Sequence, residues 1–329
     1  MKRVTILGLN HTTASIVAGP MDLFVYAGTL WNAIFHEPMT PFFEVEVVSL
    51  DGGPVRCVGG LEINAHRSMD SVQETDLLII PSVLDIDQTM ASEAEAVPWI
   101  KKLYERGAHV AAICTGAFVL AETGLLDGKI ATTHWGNTEE FRRRYPKVSL
   151  KPELLITDSG DIFTAGGSNA CFDIGLYLVR KYCGLDVARK LAKTFLHDLD
   201  RISQAPWIAF QCQRGHTDKE ILGAQKRLEN QYAEQYNFDD FARELGMSRR
   251  TFERRFKAAT GDSPLQYLQR MRVEAAKRIL ETENLNFDEI AYAVGYEDRS
   301  FFSKVFTHIS GLTPKAYRQK WSFPKYIAV

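Results

Sequence analysis

The 329-residue chain predicts an α/β first part followed by an all-α second part. The first is a mainly parallel sheet with helices on both faces; the second holds two helix-turn-helix units. Three observations carry this. Short β-branched runs alternate with helical stretches over about the first 185 residues. The alternation then stops, and the remainder reads as helix apart from a strand-like run in the last few residues. Near the C-terminus, a set of small, aromatic and turn residues recurs at a fixed interval.

Taken in order, Val4–Leu9 is the first strand. Phe43–Leu50 follows, with Val45, Val47 and Val48. Leu77–Ile80 comes after Asp76 and stops at Pro81, as suits a buried parallel strand. His109–Ile113 is the next, and Leu154–Ile156 and Ile162–Ala165 are weaker candidates. Helical stretches lie near Pro20–Phe35, Val97–Arg106, Thr115–Thr123, Asn137–Tyr145 and Ser168–Tyr182. Such βαβ alternation places ligands at the carboxyl ends of the strands. Arg201–Gly215 reads as a transition, and Lys219–Gln235 as a polar helix leading into the last part. The expected division is 1–200, a helix-containing linker 201–234, and 235–329.

Composition is that of an ordinary globular chain, 45% hydrophobic and 24% charged. MKRVTILGLN is too short for a secretory signal, and no apolar run nears the roughly 18 residues that span a bilayer. The expected location is the cytoplasm, with no membrane partner. Cys57, Cys114, Cys171, Cys183 and Cys212 are odd in number and scattered, so they read as reduced thiols. None has metal-ligand spacing, and neither metal nor cofactor is expected. The net charge of −2 conceals an asymmetry. From residue 218 onward, 19 Lys and Arg face 16 Asp and Glu; before it, 20 face 25. Residues 249–257 (RRTFERRFK) concentrate five cations against one anion, a local footprint for phosphates.

The internal repeat surrounds that cluster. FDDFARELGMSRRTFERRFKAATGDSP (238–264) is answered by FDEIAYAVGYEDRSFFSKVFTHISGLTP (287–314). Ala242 and Gly246 recur as Ala291 and Gly295, Phe252 and Phe256 as Phe302 and Phe306. Gly261, Ser263 and Pro264 recur as Gly311, Thr313 and Pro314. The small alanine lets one helix cross closely over another. The first glycine follows a helix end where positive φ is often needed. Ser248 and Asp298 are good N-caps. Phe252, Phe256 and Ala259 form one buried stripe, and Arg249, Arg250, Glu253, Arg254 and Lys257 the opposite face. In the second copy the exposed face is Arg299, Ser300, Ser303, Lys304 and His308. An apolar back with a cationic front suits a helix that reads the major groove of double-stranded DNA.

Residues 235–321, above all GYEDRSFFSKVFTHISGLTPKAYR, resemble the AraC/XylS family of regulators. The resemblance implies two helix-turn-helix units joined by a central helix, about Pro264–Leu280. Carried over by position, it implies base contacts from Arg250, Glu253 and Arg254, then Arg299, Ser300, Ser303 and Lys304.

In the first part, HVAAICTGAFVLAETGLLDGKIATTHW (109–135) runs from a strand into Cys114, Thr115 and Gly116, then a helix. This nucleophile-elbow pattern sets a thiol over a helix N-terminus, which is expected to lower its pKa. Residues 1–195 resemble the ThiJ/PfpI branch of the class I glutamine-amidotransferase-like superfamily, which implies a flavodoxin-like sheet. ICTGAFVLAETGLLDGKIATTHW is similar to regulators that fuse this domain to an AraC-type tail. Enzymes of the superfamily pair the thiolate with a histidine or an acid. Here Thr115 follows the cysteine where protease-like members have histidine. The glutamate that many members carry ahead of the first helix's proline falls near Ile16, with no acid between Thr12 and Gly19. The expectation is therefore a sensor and not an enzyme. The expected pocket is Asn10, His11, Ser82, Cys114, Thr115, His134, Ser168 and Asn169, with the Ala165–Asn169 turn offering N–H groups to an anion. Cys57, Cys171, Cys183 and Cys212 read as structural.

The resemblances together imply a sequence-specific transcription regulator, an activator and homodimer, controlled by a small-molecule effector such as an amino acid or quaternary amine. Two alternatives stay open: a cysteine-dependent hydrolase or amidase carrying a DNA-binding appendage, and a constitutive regulator whose first domain is only a scaffold.

Overall fold

A computed structural model describes residues 1–321. The chain divides into two compact units, Met1–Gln204 and the residues from Ala205 onward. The strand-like run expected in the last few residues lies outside the described residues.

The first unit is built on seven strands: β1 (Lys2–Leu7), β2 (Phe43–Ser49), β3 (Arg67–Ser68), β4 (Leu77–Ile80), β5 (His109–Ile113), β6 (Ile156–Asp158) and β7 (Ile162–Ala165). Their order is β6-β7-β5-β4-β1-β2-β3. Every neighbouring pair is parallel except β6 and β7. The chain runs from β1 out to one edge, then returns to the other side of β1 at β4. The switch point, where such sheets open a crevice, thus lies between β1 and β4.

Alternation along the strands feeds two cores, one on each face. Leu78, Ile80, Val110 and Ala112 pack with Trp99, Ile100, Phe118 and Phe141. Val4, Ile6, Leu77, Ile79, Ala111 and Ile113 pack with Ile16, Phe24, Ile174 and Leu178. The expected doubly wound architecture is thus present.

Details differ from the sequence expectation. The first strand stops at Leu7. The helix placed near Pro20–Phe35 begins earlier, at Ala14, because Ile16 and Val17 extend the buried stripe upstream; Pro20 lies inside it. It ends at Tyr26, and a separate short helix covers Leu30–Ile34. Gly28 makes the break, with φ 78° and Thr40 O only 2.2 Å from where a Cβ would be. β6 begins two residues later than expected and pairs antiparallel with β7. Helix Leu185–Thr194 opens the all-helical stretch but belongs to the first unit, because Ala188, Leu191 and Ala192 join its core.

Among its described residues the second unit has α-helices Lys219–Asn230, Phe238–Glu244, Arg249–Thr260, Pro264–Thr282, Phe287–Ala293, Arg299–Ser310 and Pro314–Trp321. The repeat is therefore a repeat of structure. Each copy has its own core, and the long helix serves both. Tyr267, Leu268 and Met271 enter the first with Phe238, Phe252 and Phe256. Val273, Ala276 and Leu280 enter the second with Ile290, Phe302 and Phe306. Pro264–Thr282 has 19 residues, roughly 28 Å at 1.5 Å per residue. It starts with a Ser263–Gln266 capping box and a proline in its first turn.

Candidate functional site

β5 ends at Ile113, and Cys114 makes the turn into helix Gly116–Glu122 with φ 57°. A non-glycine residue there is strained by on the order of 1–3 kcal/mol, so its neighbours must hold it. Cys114 N–H donates to Ala165 O at 2.9 Å, and Thr133 Oγ1 donates to Cys114 O at 2.8 Å. Thr115 Oγ1 donates to Val83 O at 2.6 Å and accepts from Val83 N–H at 2.9 Å. A Cβ on Gly116 would stand 2.5 Å from Pro81 O, so glycine alone lets the helix start this close to the end of β4.

The elbow is as expected, but its electrostatics are reversed. Burial pushes the Cys114 thiol pKa up, outweighing hydrogen bonds from the Thr115 backbone and from the Ser168 and Thr115 side chains. Loss of water disfavours the thiolate more than those donors favour it. The site holds a neutral thiol.

The other expected pocket residues converge on this end of the sheet. Thr12 bridges Val83, and Leu84 N–H donates to His11 O at 3.1 Å, which joins the loops after β1 and β4. His11 is exposed, with φ 61°. Asn10 Oδ1 accepts from Arg56 N–H at 3.0 Å. Ser82 is buried, and its carbonyl accepts from Thr12 Oγ1. His134 follows Thr133, and its Nδ1 accepts from Gly136 N–H at 3.1 Å. Burial lowers its pKa, so the ring is neutral with its proton on Nε2. Ser168 and Asn169 are exposed and lead into helix Ala170–Cys183. Asn10 and Thr115 thus spend polar groups on the fold, Ser168 is exposed yet bonds the Cys114 thiol, His11 and Asn169 are exposed, and His134 is half-buried.

Two residues here escaped the sequence reading. Glu93 is 4% exposed, and its Oε1 accepts from Asn10 N–H at 2.7 Å. Burial raises its pKa. It lies in the acid-rich run ASEAEA, where nothing local marks one acid as buried. Gln204, 3% exposed, is the last residue of the unit, and its amide donates to Thr132 Oγ1 and Thr133 O beside the elbow.

In the second unit both recognition-type helices begin as expected. Ser248 Oγ accepts from Thr251 N–H at 3.2 Å, and Asp298 Oδ1 from Phe301 N–H at 3.0 Å. Both end on left-handed glycines, Gly261 and Gly311. Phe252, Phe256, Phe302 and Phe306 are fully buried. The stripe's third member is Thr260, matched by Ser310, and not the half-buried Ala259.

The cations in front sort into two kinds. Arg250, Arg254 and Lys257 are exposed, and among the described residues no acid pairs with them. Arg249 instead donates to Glu253 Oε1 at 2.6 Å, lies 3.5 Å from Asp239 and stacks over Phe238. Its counterpart Arg299 pairs with Asp288 at 2.8 Å. These two arginines brace the start of each helix against the preceding one. Arg255, on the side of the first helix, is held by Asp218 at 2.6 Å and Glu220 at 2.8 Å. The second helix exposes Ser300, Lys304 and His308, with Ser303 half-buried. Its front is less basic than the first.

A doubly wound sheet with a cysteine elbow, in one chain with a doubled helix-turn-helix unit, is the architecture of two-domain DNA-binding regulators. The chain belongs to the DJ-1/PfpI family, whose model matches residues 12–181, and it carries a helix-turn-helix domain matching residues 241–320. It is similar to the HTH-type transcriptional regulator CdhR of Pseudomonas aeruginosa, 29% identical over 259 residues, which cover 78% of this chain and 76% of that one. It is also similar to the HTH-type transcriptional regulator GlxA of Rhizobium meliloti, 26% identical over 281 residues, 85% and 86% of the two chains. An isonitrile hydratase of Pseudomonas putida is 29% identical over 151 residues, 45% of this chain and 64% of the enzyme. An AraC family transcriptional regulator structure from Pseudomonas putida covers 59% of this chain and all of its own, with TM-score 0.51 and 24% identity. Drosophila melanogaster DJ-1beta covers 60% and 98%, with TM-score 0.51 and 19% identity. These likenesses to solved structures establish the fold. Both resemblances read from the sequence are borne out.

Proposed function

We propose that the chain is a sequence-specific DNA-binding transcription regulator, an activator, whose first unit senses a small metabolite in the cytoplasm. The observation that carries the DNA reading is the pair of phenylalanine-backed helices with matching caps, matching bracing arginines and cationic fronts. Arg250 and Arg254, then Ser300 and Lys304, are the proposed base readers, with Ser303 at their edge and Lys257 on phosphate. Arg249, Glu253 and Arg299 position the helices. The roughly 28 Å central helix suits placing two recognition helices in successive major grooves about 34 Å apart. The test is fluorescence anisotropy on duplexes selected from a random pool. Arg254→Ala is expected to relax base preference at one position and reduce the salt slope by about one. Unchanged affinity and preference would remove the assignment.

The sensing role rests on the elbow. Its polar groups converge at the carboxyl ends of β1, β4, β5 and β7, while the thiol is kept neutral. Asn10, His11, Ser82, Cys114, Thr115, His134, Ser168 and Asn169 are the proposed surroundings of an effector, a nitrogen-containing metabolite such as an amino acid or amine. An effector acts only through unequal affinity for two arrangements of the chain, and we take the working form to be a homodimer. Light scattering that found only monomer at micromolar concentration would oppose the dimer. A thermal-shift screen of the full chain against amino acids, amines, amides and aldehydes tests sensing. Saturable stabilisation that survives Cys114→Ser supports it, and no stabilisation by any of them favours a scaffold. The second reading is a cysteine enzyme, favoured by the similarity to an isonitrile hydratase and by the positive φ of Cys114. Turnover of a compound that is abolished by Cys114→Ser would establish it.

A further inference from the structure

The last residues of the first unit return to the elbow. Leu154 and Ser203 form an antiparallel bridge. Gln204 N–H donates to Glu153 O at 3.0 Å, and Ser203 Oγ donates to the same carbonyl at 2.7 Å. Residues 202–204 therefore lie as a short strip along 153–155, just ahead of β6. At the end of this strip the Gln204 side chain turns inward. Its Nε2 donates to Thr133 O at 2.9 Å and to Thr132 Oγ1 at 3.1 Å. The amide lies flat on Gly166, where a Cβ would come 2.6 Å from Oε1.

Two one-residue routes lead from this amide to Cys114. Thr133, whose carbonyl Gln204 holds, donates its own hydroxyl to Cys114 O. Gly166, on which the amide rests, follows Ala165, whose carbonyl accepts Cys114 N–H. Gly166 N–H in turn donates to Leu155 O at 2.9 Å, back in the strip's partner. A second fastening ties the chain just upstream of the strip. Asp173 lies in the first turn of the helix that Ser168 and Asn169 open, and it holds His197 at 3.1 Å and Arg201 at 3.2 Å.

The Gln204 amide is only half satisfied. Its Oε1 is buried and finds no donor among the described residues. A buried acceptor without a donor is disfavoured relative to the same group in water. The side chain is held by its N–H bonds and by the glycine seat.

We infer that Gln204 is a latch, coupling what occupies the Cys114 elbow to the order of segment 202–204, the last residues before Ala205 begins the DNA-binding unit. The inference rests on reading the elbow as the effector pocket. An occupant that shifts Thr133 or the Ala165–Gly166 turn moves the latch's acceptors and its seat. By reciprocity, release of the latch alters access to the elbow by the same free energy.

The test uses the full chain and needs neither effector nor DNA. Iodoacetamide, which carbamidomethylates Cys114, serves as the elbow occupant, with peptide mass spectrometry separating Cys114 from the other four cysteines. Hydrogen exchange reads the strip. In the wild type, carbamidomethylation of Cys114 is expected to speed exchange in 153–155 and 202–204. Gln204→Ala is expected to speed both that exchange and Cys114 alkylation, by about fivefold. Gln204→Asn, which keeps an amide but shortens its reach, should do the same in smaller measure. Ser203→Ala, which removes one hydrogen bond of the strip and keeps the Gln204 amide, should speed exchange in 202–204 and Cys114 alkylation together, each by less than Gln204→Ala does. Exchange in 202–204 that ignores Cys114 modification would overturn the latch. So would a Gln204→Ala protein, folded by circular dichroism, with a loosened strip and wild-type Cys114 reactivity. Failure of the effector reading would instead appear as an empty thermal-shift screen, which this experiment does not use.

Discussion

Arg254 and Arg255 are neighbours in one cationic run, yet they do different work. Arg254 is exposed without an acidic partner among the described residues, while Arg255 is clamped between Asp218 and Glu220. Arg254→Ala should therefore weaken DNA binding and leave the melting temperature nearly unchanged. Arg255→Ala should lower the melting temperature of the DNA-binding unit, as differential scanning calorimetry would record, with the salt slope of DNA binding unaltered. The run RRTFERRFK could not separate them, because Asp218 stands 37 residues away. Cys114 teaches the same lesson. Its place in an elbow was legible from a strand, a Thr-Gly and a helix, but the sign of its pKa shift was not. Burial dominates, and burial depends on what the whole unit lays over the thiol. Iodoacetamide should accordingly modify Cys114 slowly at neutral pH, with the rate still climbing above the ordinary thiol range. A full rate reached by pH 7 would contradict a neutral resting thiol.

At the scale of elements, the two helix-turn-helix copies have the same plan and unequal tolerances. Gly246 and Gly295 occupy equivalent places, with φ 69° and 86°. A Cβ on Gly246 would meet open space, whereas one on Gly295 would stand 2.3 Å from the Ala233 carbonyl oxygen. Gly246→Ala should cost about 1 kcal/mol, the backbone strain alone. Gly295→Ala should cost more, at least 2 kcal/mol on the usual scale of severe substitutions, and urea titration of the two variants reads the difference. Similar losses would mean that Ala233 yields freely. The repeat revealed both glycines, since helix ends demand positive φ locally. It could not reveal the close approach, because Ala233 lies outside either copy. The caps at Ser248 and Asp298 were legible for the same local reason. Boundaries were less so: Ile16 and Val17 drew the first helix upstream only because the sheet offers a surface to cover them.

For the whole molecule, several buried or half-buried acidic side chains hold their protons beyond the usual range. Burial pushes Cys171 up to about 12 and Cys183 to about 11. Burial and the Asp158 hydrogen bond push Tyr177 to about 12. A raised folded pKa means that the unfolded chain releases its proton first. The contribution is therefore intact below about pH 8.5, the ordinary thiol value, and is lost as pH rises from there through the folded values. The melting temperature of the full chain should fall steadily above pH 9, and a flat profile to pH 11 would show these groups to be accessible. At neutral pH an effector at 100 times its dissociation constant should add about 2.7 kcal/mol of stability, which the thermal-shift screen reads directly.

The sequence by itself determined what local chemistry dictates. Period-2 and period-3.6 runs declared an α/β unit followed by a helical one. Caps and glycines placed the doubled helix-turn-helix, and the strand–cysteine–helix pattern marked the elbow. Only the tertiary structure decided which cations are spent on acids and which remain exposed, that the thiol is neutral, that Glu93 is buried beside Asn10, and that Gln204 holds Thr133, whose hydroxyl bonds the Cys114 carbonyl. Each of these depends on burial or on a partner distant along the chain. Dielectric surroundings and long-range contacts exist only once the sheet and its loops have closed around the residue.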